Sequence, residues 1–508
     1  MAADGIDIER RRAGVCLHLT SLPGPRGIGE LGPSARNFMD WMQECRLSVW
    51  QFLPTVPTGI GNSPYQPLSI FAGNPLLIDL EALLEWGLLR KQELVSYPRL
   101  AVTSVDYQSV SESKGALLSV AIERFQETRD SSLLREYEQF LESHDAVWLD
   151  DYAAFTLLRE RNHGVQWPAW DRKARARQTA YLAGLKQSFP SQWERAKIEQ
   201  FFFAKQWKDL RAEAKRRDII LFGDEPIYMA LDCAEAWARP ELVYLDSDFM
   251  PVEVAGVPPD YFSRDGQLWG NPVYRWDVHA AEAFSWWVSR LRHALSRADM
   301  VRLDHFRGFD QYWSVPFSAA TAREGHWNHG PGQKLFDALV GALGQIPIVA
   351  EDLGLITPSV IALRKAYALP GMQVLQFLVD QPEFEFDGID EDCVCYTGTH
   401  DNDTTEGWYA GSDGQLSGAA LEKMQSIVRA NVQGMEDGVH KALVSLCFKT
   451  RARIAMAPLQ DFLGLGSEAR LNTPGTASGN WRWRVRDDDL AGADCGYIGR
   501  MALETGRS

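Results

Sequence analysis

The sequence predicts an α/β fold, a (β/α)₈ TIM barrel, from three observations. Eight short apolar runs have the length and side-chain types of buried strands, amphipathic helical segments separate several of them, and four of the runs end in carboxylates. A helix followed by a buried strand, repeated along a chain, is typical of a parallel sheet. Eight such strands favour a closed barrel over an open doubly wound sheet.

The eight predicted strands extend from the first residues of the chain to its last quarter. Their sequences are GVCLHL (14–19), VWQFLP (49–54), IILFGDEP (219–226), MVRLDHF (300–306), IPIVAED (346–352), MQVLQF (372–377), CVCYTGTHD (393–401) and RIAMAPLQD (453–461). One of these helices covers residues 281–298, where Phe284, Val288 and Leu291 recur at helical spacing directly before the fourth run. This alternation of helix and strand is the barrel pattern.

Two intervals are longer than simple connections between strands and helices. Residues 55–218, between the second and third strands, carry many charges, several tryptophans and helical patterns, which predicts a largely helical insertion at the C-terminal rim. In residues 250–275, after the third strand, glycines and prolines exclude regular structure and accompany the aromatic Tyr261, Phe262 and Trp269. We expect this segment to form a lid loop with a small insertion.

Composition excludes several classes of protein. The 508 residues are 45% hydrophobic and 24% charged, which fits a large globular core. A net charge of −16, without a long basic run, argues against nucleic-acid binding. The seven cysteines show no CxxC spacing, so neither a disulfide framework nor a zinc site is expected. Charged residues precede the first apolar run and no run approaches the ~20 residues of a membrane helix, so we expect a cytoplasmic protein.

The carboxylates at the strand ends point to an active site. Asp224, Asp304, Glu351 and Asp401 each end one of the predicted strands. The C-terminal ends of parallel barrel strands meet at one rim, which is where barrel enzymes carry their active sites. A single acid there would be explained equally well as a helix cap. Several acids together, flanked by further polar side chains, favour catalysis.

Those flanking side chains are Arg302, His305, His400 and Asn402. Converging carboxylates suit glycosyl transfer, in which one acid attacks the anomeric carbon and another protonates the departing oxygen. A magnesium-dependent phosphoryl transferase would use similar acids, but no GxxxxGK[ST] motif is present, and LGLGSEARLN (463–472) after the last strand reads as a turn. A zinc hydrolase could use the two histidines, but no HExxH spacing occurs.

Several motifs resemble the amylomaltase family, the 4-α-glucanotransferases of glycoside hydrolase family 77 in the α-amylase clan. They are SPYQPLSIFAGNPLLIDL, GVPPDYFSRDGQLWGNPVYRW, VRLDHFRGF, VAEDLG, TGTHDNDTTEGW and LNTPGTASGNWRWR, and they span residues 14–486. RLDHF resembles the clan as a whole, whereas the GVPPDYFS loop and the NWRWR end resemble this family in particular. The resemblance implies that residues 1–508 form a single catalytic barrel without a C-terminal β-sandwich domain.

The resemblance also implies catalytic roles. Asp304 in RLDHF falls on the family's nucleophile, Glu351 in AEDLG on its general acid/base, and Asp401 in THDND on the carboxylate that stabilises the transition state. Successive residues at a strand end point to opposite sides, so Asp352 should face away from the sugar. Arg302 lies two positions before Asp304, on the same side, and should lower its pKa.

Further residues are expected to bind substrate. The resemblance implies that His305 and His400 contact the glucose before the cleaved bond, that Tyr65 stacks on that glucose, and that Asp224 binds substrate or holds Arg302. In the family this segment covers the substrate groove, so the resemblance also implies that Asp260 and Trp269 contact substrate. The substrate-binding set is therefore Tyr65, Asp224, Asp260, Trp269, Arg302, His305, His400 and Asn402.

The predicted function is that of a retaining 4-α-glucanotransferase. Its partners would be α-1,4-glucans and maltooligosaccharides, with no cofactor or metal and no nucleic acid or membrane, in a monomer or homodimer. Two alternatives stay open at this point. One is an α-1,4-glucan hydrolase on the same barrel, because water can replace the acceptor sugar. The other is a non-catalytic glucan-binding protein, although such a protein would lack at least one of the three acids.

Overall fold

The barrel strands lie where the sequence predicts them. In the computed structural model, which describes residues 10–259, 264–412, 414 and 416–508, each of the eight predicted runs overlaps a strand. The described strands are β1 (Arg12–Cys16), β2 (Val49–Gln51), β3 (Ile220–Glu225), β4 (Glu253–Val257), β5 (Gln267–Pro272), β6 (Met300–Leu303), β7 (Gln311–Pro316), β8 (His326–His329), β9 (Ile348–Ala350), β10 (Gly371–Val374), β11 (Cys393–Tyr396) and β12 (Ile454–Pro458).

Eight of these strands form one parallel sheet that closes on itself. Their order is β10-β11-β12-β1-β2-β3-β6-β9. The two end strands meet where the backbone N–H of Ala350 donates to the carbonyl of Pro370 at 2.8 Å. The predicted (β/α)₈ barrel is therefore confirmed.

The barrel interior is filled by apolar side chains from its strands. The inward cluster consists of Val49, Ile220, Phe222, Met300, Val349, Met372, Val374, Val394, Tyr396, Ile454 and Met456. Gly14 on β1 is surrounded so closely that a Cβ atom there would lie 2.4 Å from the sulfur of Met456 and 2.6 Å from the Cβ of Val49. Only glycine fits this position, because interiors are packed at crystal-like density.

Helices surround the barrel and fill the interval between its second and third strands. The described helices are α1 (Pro33–Glu44), α2 (Leu80–Glu85), α3 (Lys91–Val95), α4 (Tyr107–Glu127), α5 (Ser131–His144), α6 (Asp150–Arg161), α7 (Arg172–Arg175), α8 (Thr179–Ser188), α9 (Pro190–Arg216), α10 (Ala234–Ala238), α11 (Trp276–Ala281), α12 (Ser285–Arg297), α13 (Gln333–Leu343), α14 (Pro358–Ala366), α15 (Thr405–Ala410), α16 (Gly418–Asn431), α17 (Val439–Lys449), α18 (Leu459–Leu463), α19 (Asp487–Ala491) and α20 (Cys495–Glu504). Within the described ranges, no helix is long and apolar enough to cross a membrane.

The long helix α9 anchors the segment that leads out of the barrel after β2. The side chain of Gln200 accepts a hydrogen bond from the N–H of Gly73 at 2.6 Å and donates to its carbonyl at 2.9 Å. Gln206 makes the same pair of bonds with the backbone of Asp79, at 2.7 and 3.0 Å. The two buried side-chain amides thus provide hydrogen-bond partners for backbone groups that belong to no helix or strand.

A second, antiparallel sheet lies beside the barrel and corrects one expectation. Its strand order is β5-β4-β7-β8, so much of the segment expected to lack regular structure is in strands. The prolines fit because Pro272 ends β5, and Pro258 and Pro259 follow β4. Gly256 fits because a Cβ there would lie 2.3 Å from the carbonyl oxygen of Gln267. Asp260, Tyr261 and Phe262 lie outside the described residues.

The expectation of no disulfide is also corrected. Cys45, directly after α1, and Cys495, at the start of α20, are joined by a disulfide, with their Cα atoms 4.3 Å apart. The pair is separated by 450 residues, a distance at which sequence spacing carries no information. The remaining cysteines, at positions 16, 233, 393, 395 and 447, are free and buried.

The seam between β9 and β10 is held by an acid, which points away from the barrel interior as the sequence predicts. Asp352 accepts a hydrogen bond from the N–H of Met372 at 2.7 Å, and its other oxygen lies 3.1 Å from Nε of Arg364. Both charged side chains are largely buried, with 12% and 8% exposed. Asp352 therefore joins the two end strands of the sheet.

We predict that Asp352→Ala lowers the free energy of unfolding by on the order of 3 kcal/mol, because it leaves a buried guanidinium unpaired. Thermal or urea unfolding measures the change. Asp392→Ala is the matched control, since Asp392 also pairs with an arginine, Arg453 at 2.8 Å, but is 71% exposed. The control should differ from wild type by well under about 1 kcal/mol. Equal effects in the two variants would contradict a role for Asp352 at the seam.

Candidate active site

Neighbouring strands bring three of the predicted acids to the same edge of the barrel. On β3 and β6, Asp224 and Arg302 are direct register partners. Backbone hydrogen bonds between the strands continue past the strand ends. The N–H of Asp304 donates to the carbonyl of Glu225 at 3.1 Å, and the N–H of Glu351 donates to the carbonyl of Leu303 at 3.0 Å. Asp224 in β3, Asp304 directly after β6 and Glu351 directly after β9 thus lie at the ends of three adjacent strands.

Arg302 connects two of these acids. Its Nε lies 3.0 Å from one oxygen of Asp224 and its Nη2 lies 2.8 Å from the other, so the contact is bidentate. The same Nη2 lies 2.9 Å from Oδ1 of Asp304. Arg302 is 4% exposed, so its positive charge is buried at the C-terminal end of the barrel, which we call the barrel mouth.

Asp304 lies in a buried but acidic environment. Burial, together with the charges of Asp224, Glu351 and Asp401, raises the pKa of Asp304, and Arg302 opposes the rise. Arg302 therefore acts on the pKa of Asp304 in the predicted direction, but burial outweighs it. The Asp304 side chain keeps 28% of its surface exposed, which leaves it open to a ligand.

Glu351 is held by the backbone on both oxygens. Its Oε2 accepts a hydrogen bond from the N–H of His305 at 2.7 Å, and its Oε1 accepts one from the N–H of Leu353 at 3.1 Å. Burial raises the pKa of Glu351, against the lowering effects of Arg302 and of these two donors. The pKa values of Asp304 and Glu351, which we call the acid pair, are thus both raised.

His305 adopts a left-handed conformation directly after Asp304, with φ 49° and ψ 50°. Such a conformation costs a non-glycine residue roughly 1–3 kcal/mol and persists only where surrounding contacts enforce it. Here the enforcing contacts are the hydrogen bond to Glu351 and the edge of Trp269, whose ring centroid lies 4.8 Å from the imidazole. Burial lowers the pKa of His305 to about 3, so the imidazole is neutral.

Tyr65 and His400 form a stacked pair on the other side of the mouth. Their rings are nearly parallel, with an interplanar angle of 9° and centroids 5.4 Å apart. The Tyr65 hydroxyl donates to Asp224 at 2.6 Å and lies 2.9 Å from Nε2 of His400. Since the hydroxyl hydrogen points to Asp224, Nε2–H of His400 is the donor in the second contact. Burial lowers the pKa of His400, which keeps the ring neutral.

Asp401 is the most accessible of the predicted acids, with 48% of its side chain exposed. Its Oδ1 accepts a hydrogen bond from Nδ2 of Asn472 at 2.6 Å and lies 3.4 Å from Nε2 of His400. Its backbone carbonyl accepts one from Arg470 at 2.9 Å. Asn472 and Arg470 belong to the segment that the sequence analysis interpreted only as a turn.

Two of the predicted binding residues have structural contacts of their own. The side-chain oxygen of Asn402 accepts hydrogen bonds from the N–H and the hydroxyl of Thr399, both at 2.9 Å, and so holds the turn that carries Asp401. Trp269 on β5 is half-buried, and its carbonyl accepts a hydrogen bond from the side chain of Gln66 at 3.2 Å. Asp260 lies outside the described residues.

Trp481 is a site residue that the sequence analysis did not single out. Its ring centroid lies 5.8 Å from that of Tyr65 and 6.1 Å from that of His400, so three aromatic rings line this side of the mouth. Trp481 has a φ of 64°, and its carbonyl accepts a hydrogen bond from the hydroxyl of Tyr107 at 2.7 Å. Trp481 belongs to the NWRWR motif, which resembles the family, but this motif lies outside the predicted strands and helices, so nothing in the sequence pattern placed it at the site.

A second layer of polar contacts supports the segment between β11 and α15. The buried carboxylate of Asp461, in α18 directly after β12, accepts hydrogen bonds from the hydroxyl of Thr397 at 2.5 Å and from the N–H of Thr405 at 2.8 Å. The side chain of Gln376, which follows β10, donates to the carbonyl of Asp403 at 3.0 Å. The turn with His400 and Asp401 is thereby fixed by both neighbouring strands.

This arrangement has the groups that acetal chemistry requires. One carboxylate contacts a cation and is exposed to a ligand, and a second carboxyl, in contact with backbone donors only, has a raised pKa. Neutral imidazoles, a tyrosine and two tryptophans surround them, which suits binding of a sugar. In the described part of the chain, no group of three or more histidine, cysteine or acidic side chains is arranged to hold a metal ion.

Comparison with known proteins agrees with this geometry. The family model described as 4-alpha-glucanotransferase matches residues 17–490. The chain is 43% identical to the 4-alpha-glucanotransferase of Thermus thermophilus, with 98% of this chain and 99% of the relative covered, and 42% identical to that of Synechocystis sp., with 95% of each covered. The solved structure of amylomaltase from Streptococcus agalactiae in complex with acarbose is similar with a TM-score of 0.92 and 33% identity, covering 98% of this chain and 100% of that one.

Proposed function

Because the chain belongs to the 4-alpha-glucanotransferase family, we propose that it transfers α-1,4-glucan segments through a covalent glycosyl-aspartate intermediate. The donors are maltooligosaccharides or glucans of the starch and glycogen type, and the acceptors are glucans or glucose. The observation that carries the proposal is the position of Arg302, which contacts the carboxylate of Asp304 but makes no such contact with Glu351. The two acids of the pair therefore differ in which one keeps the proton.

In the first step, Asp304 attacks the anomeric carbon of the donor. The bond between this carbon and the O4 of the next glucose breaks, and Glu351 gives its proton to that oxygen. The products are a glycosyl ester on Asp304, an ionised Glu351 and a shortened glucan with a free 4-hydroxyl. Arg302 lowers the pKa of both acids but contacts only Asp304, so we assign the ionised form to Asp304 and the proton to Glu351.

In the second step, the 4-hydroxyl of an acceptor attacks the same carbon. Glu351, now ionised, takes the hydroxyl proton, and the ester bond to Asp304 breaks. Two successive displacements at one carbon restore the α configuration, so the enzyme is retaining. Glu351 regains its proton and Asp304 its charge, which returns the pair to its initial state.

The remaining residues bind the glucose at the cleaved bond. Asp401 faces the positive charge that develops on this sugar in the transition state. The neutral His305 donates to one of its hydroxyls, the neutral His400 forms a hydrogen bond with another, and the Tyr65 ring contacts its C–H groups. Asp224 acts through Arg302, since its carboxylate is fully occupied by the guanidinium and by the Tyr65 hydroxyl.

Transfer prevails over hydrolysis when a sugar, and not water, reaches the intermediate. Trp269 lies against His305, next to Asp304, and so stands where an acceptor glucose would approach. An aromatic surface there both binds the acceptor and displaces water. We propose that the segment 250–275 covers the intermediate in this way, with Trp269 and Asp260 as substrate contacts and Asn402 holding the turn that carries Asp401.

We predict that incubation with maltotriose yields free glucose together with a ladder of longer maltooligosaccharides. Transfer conserves the number of glycosidic bonds, so the total of reducing ends stays constant while the chain lengths redistribute. Chromatography of the products and a reducing-end assay measure both quantities. Glucose and maltose alone, with a rising count of reducing ends, would instead identify a hydrolase.

Two matched substitutions separate the roles of the acid pair. Asp304→Asn should abolish reaction with every donor, because an amide cannot form the glycosyl ester. Glu351→Gln should lose roughly 10²–10⁴-fold on maltotriose but far less on an α-maltosyl fluoride, whose leaving group needs no proton. Fluoride and glucose release measure the two rates, and circular dichroism checks the folding of both proteins. Fluoride release by Asp304→Asn but not by Glu351→Gln would reverse the assignment.

The pH dependence of the first step should report the effect of Arg302. Attack requires ionised Asp304, so the rate of fluoride release falls as the pH drops through the pKa of this acid. Arg302 lowers that pKa, and in Arg302→Lys an ammonium cannot contact both acids as the bidentate guanidinium does. The acidic limb of Arg302→Lys should therefore move to higher pH by about one unit.

Arg290→Lys is the control for this shift. Arg290 is also a buried arginine, 2% exposed, and pairs with Glu225 at 2.5 Å, but it does not contact the acid pair. Its acidic limb should stay at the wild-type pH. An unmoved limb in Arg302→Lys, or equal shifts in both variants, would contradict the electrostatic role of Arg302.

A further inference from the structure

An exposed apolar surface adjoins the candidate active site on the side of β6 and β9. Trp327 on the edge strand β8 is 37% exposed, and Leu355, four residues after Glu351, is 66% exposed. Arg307 joins them, since its guanidinium carbon lies 4.0 Å from the Trp327 ring centroid and its Nη1 donates to the carbonyl of Leu355. We call these three residues the Trp327 platform.

The Trp327 platform combines an aromatic ring with hydrogen-bond donors that have no partner. Arg307 is 5% exposed, and its Nε is buried without a hydrogen-bond partner. In the part of the chain that the structure describes, only Nη1 of this guanidinium is engaged, and Nη2 keeps its hydrogens for a ligand. Because Nε is enclosed, Nη2 is the nitrogen of this guanidinium that can donate to a ligand lying on the exposed ring.

The ring itself is supported from within the sheet. Trp313 and Trp327 are direct partners across β7 and β8, with their ring centroids 5.2 Å apart in an edge arrangement. The indole N–H of Trp313 donates to the carbonyl of Ala322 at 2.8 Å, which fixes the supporting ring. Trp327 is therefore held in place before any ligand arrives, which reduces the entropic cost of stacking a sugar on it.

The position of the platform identifies the part of the substrate that it contacts. Tyr65, His400 and Trp481 come from segments after β2, β11 and β12, on one side of the barrel order. The platform comes from segments after β6 and β9, which are neighbours on the opposite side.

The two segments that carry the platform are tied to the acid pair. The backbone N–H of Phe306, next to Arg307, donates to the carbonyl of Glu351 at 3.0 Å. In the proposed function, Glu351 protonates the leaving oxygen, so the leaving and accepting chain lies on its side of the cleaved bond. A glucan that continues from there passes over the residues that follow β6 and β9.

We propose that the Trp327 platform is an acceptor-side subsite for an α-1,4-glucan, which contacts the second or third glucose beyond the cleaved bond. The pyranose C–H face lies on the Trp327 ring and Leu355, and a sugar hydroxyl accepts from Arg307. The inference rests on the proposed transferase function. It predicts that the platform distinguishes long acceptors from short ones, because a single glucose fills only the position next to Glu351.

The test compares two acceptors, glucose and maltotriose, with α-maltosyl fluoride as donor. In Trp327→Ala the KM for maltotriose should rise about five-fold, which corresponds to one lost stacking contact. The KM for glucose and the rate of fluoride release without acceptor should stay at their wild-type values. Leu355→Ser, a substitution of an exposed residue, should shift the maltotriose KM in the same direction with little risk to folding.

Tyr244→Ala is the matched control. Tyr244 is 42% exposed and also lies beneath an arginine, Arg275, with 5.4 Å from the guanidinium carbon to the ring centroid, but it does not belong to the platform. Both KM values should be unchanged in this variant. The proposal is overturned if Trp327→Ala and Leu355→Ser leave the ratio of the two KM values unmoved, or if Tyr244→Ala moves it equally. A wild-type protein that only hydrolyses the donor would instead refute the proposed function on which this inference rests.

Discussion

The contact of one buried guanidinium with two acids is the interaction on which the rest of the site depends. Asp224 has no exposed side-chain surface, and an isolated carboxylate at such a position would be far too costly to keep ionised. Arg302 lies directly opposite on the neighbouring strand, so the register of the barrel itself creates the bidentate pair. Nη2 of the same guanidinium also contacts the carboxylate of Asp304. The same charge therefore stabilises the carboxylate of Asp224 and lowers the pKa of both Asp304 and Glu351.

The layers around this contact explain why so many irregular segments meet at the rim. The left-handed turn at His305 directs a backbone N–H to Glu351, so the two acids of the proposed mechanism are joined through one residue. The turn with His400 and Asp401 is fixed from below by Asp461 and from the side by Asn472. These supports come from the segments that follow β6 and β12. The positions of the site residues thus depend on contacts between several segments of the closed barrel, and no single segment fixes them alone.

Much of this architecture could be predicted from the sequence, and the parts that could not share a physical reason. Strands that are buried on both faces consist of continuous apolar runs, so all eight barrel strands could be predicted. An acid that directly follows such a run is conspicuous in the sequence, which is why Asp304 and Glu351 were also predicted. The sheet that contains β4 and β5 could not be predicted. Its glycines and prolines are typical of irregular segments, and a glycine such as Gly256 is required there only because the neighbouring strand packs closely against it. The link between Cys45 and Cys495 likewise depends on where two distant helices meet. Asn472 and Trp481 lie in a segment that acquires its role only when it folds over the barrel mouth.

The central claim is that Asp304 becomes covalently glycosylated while Glu351 serves as the proton carrier. The most direct measurement is mass spectrometry of peptides from the wild-type enzyme after reaction with a 5-fluoro-α-glucosyl fluoride, which slows release of the intermediate. Our account predicts one added glycosyl mass, on the peptide that contains Asp304, and its loss when maltotriose is supplied as acceptor. A label on the peptide with Glu351 or Asp401 would contradict it, as would turnover with an inverted anomeric configuration and no label at all.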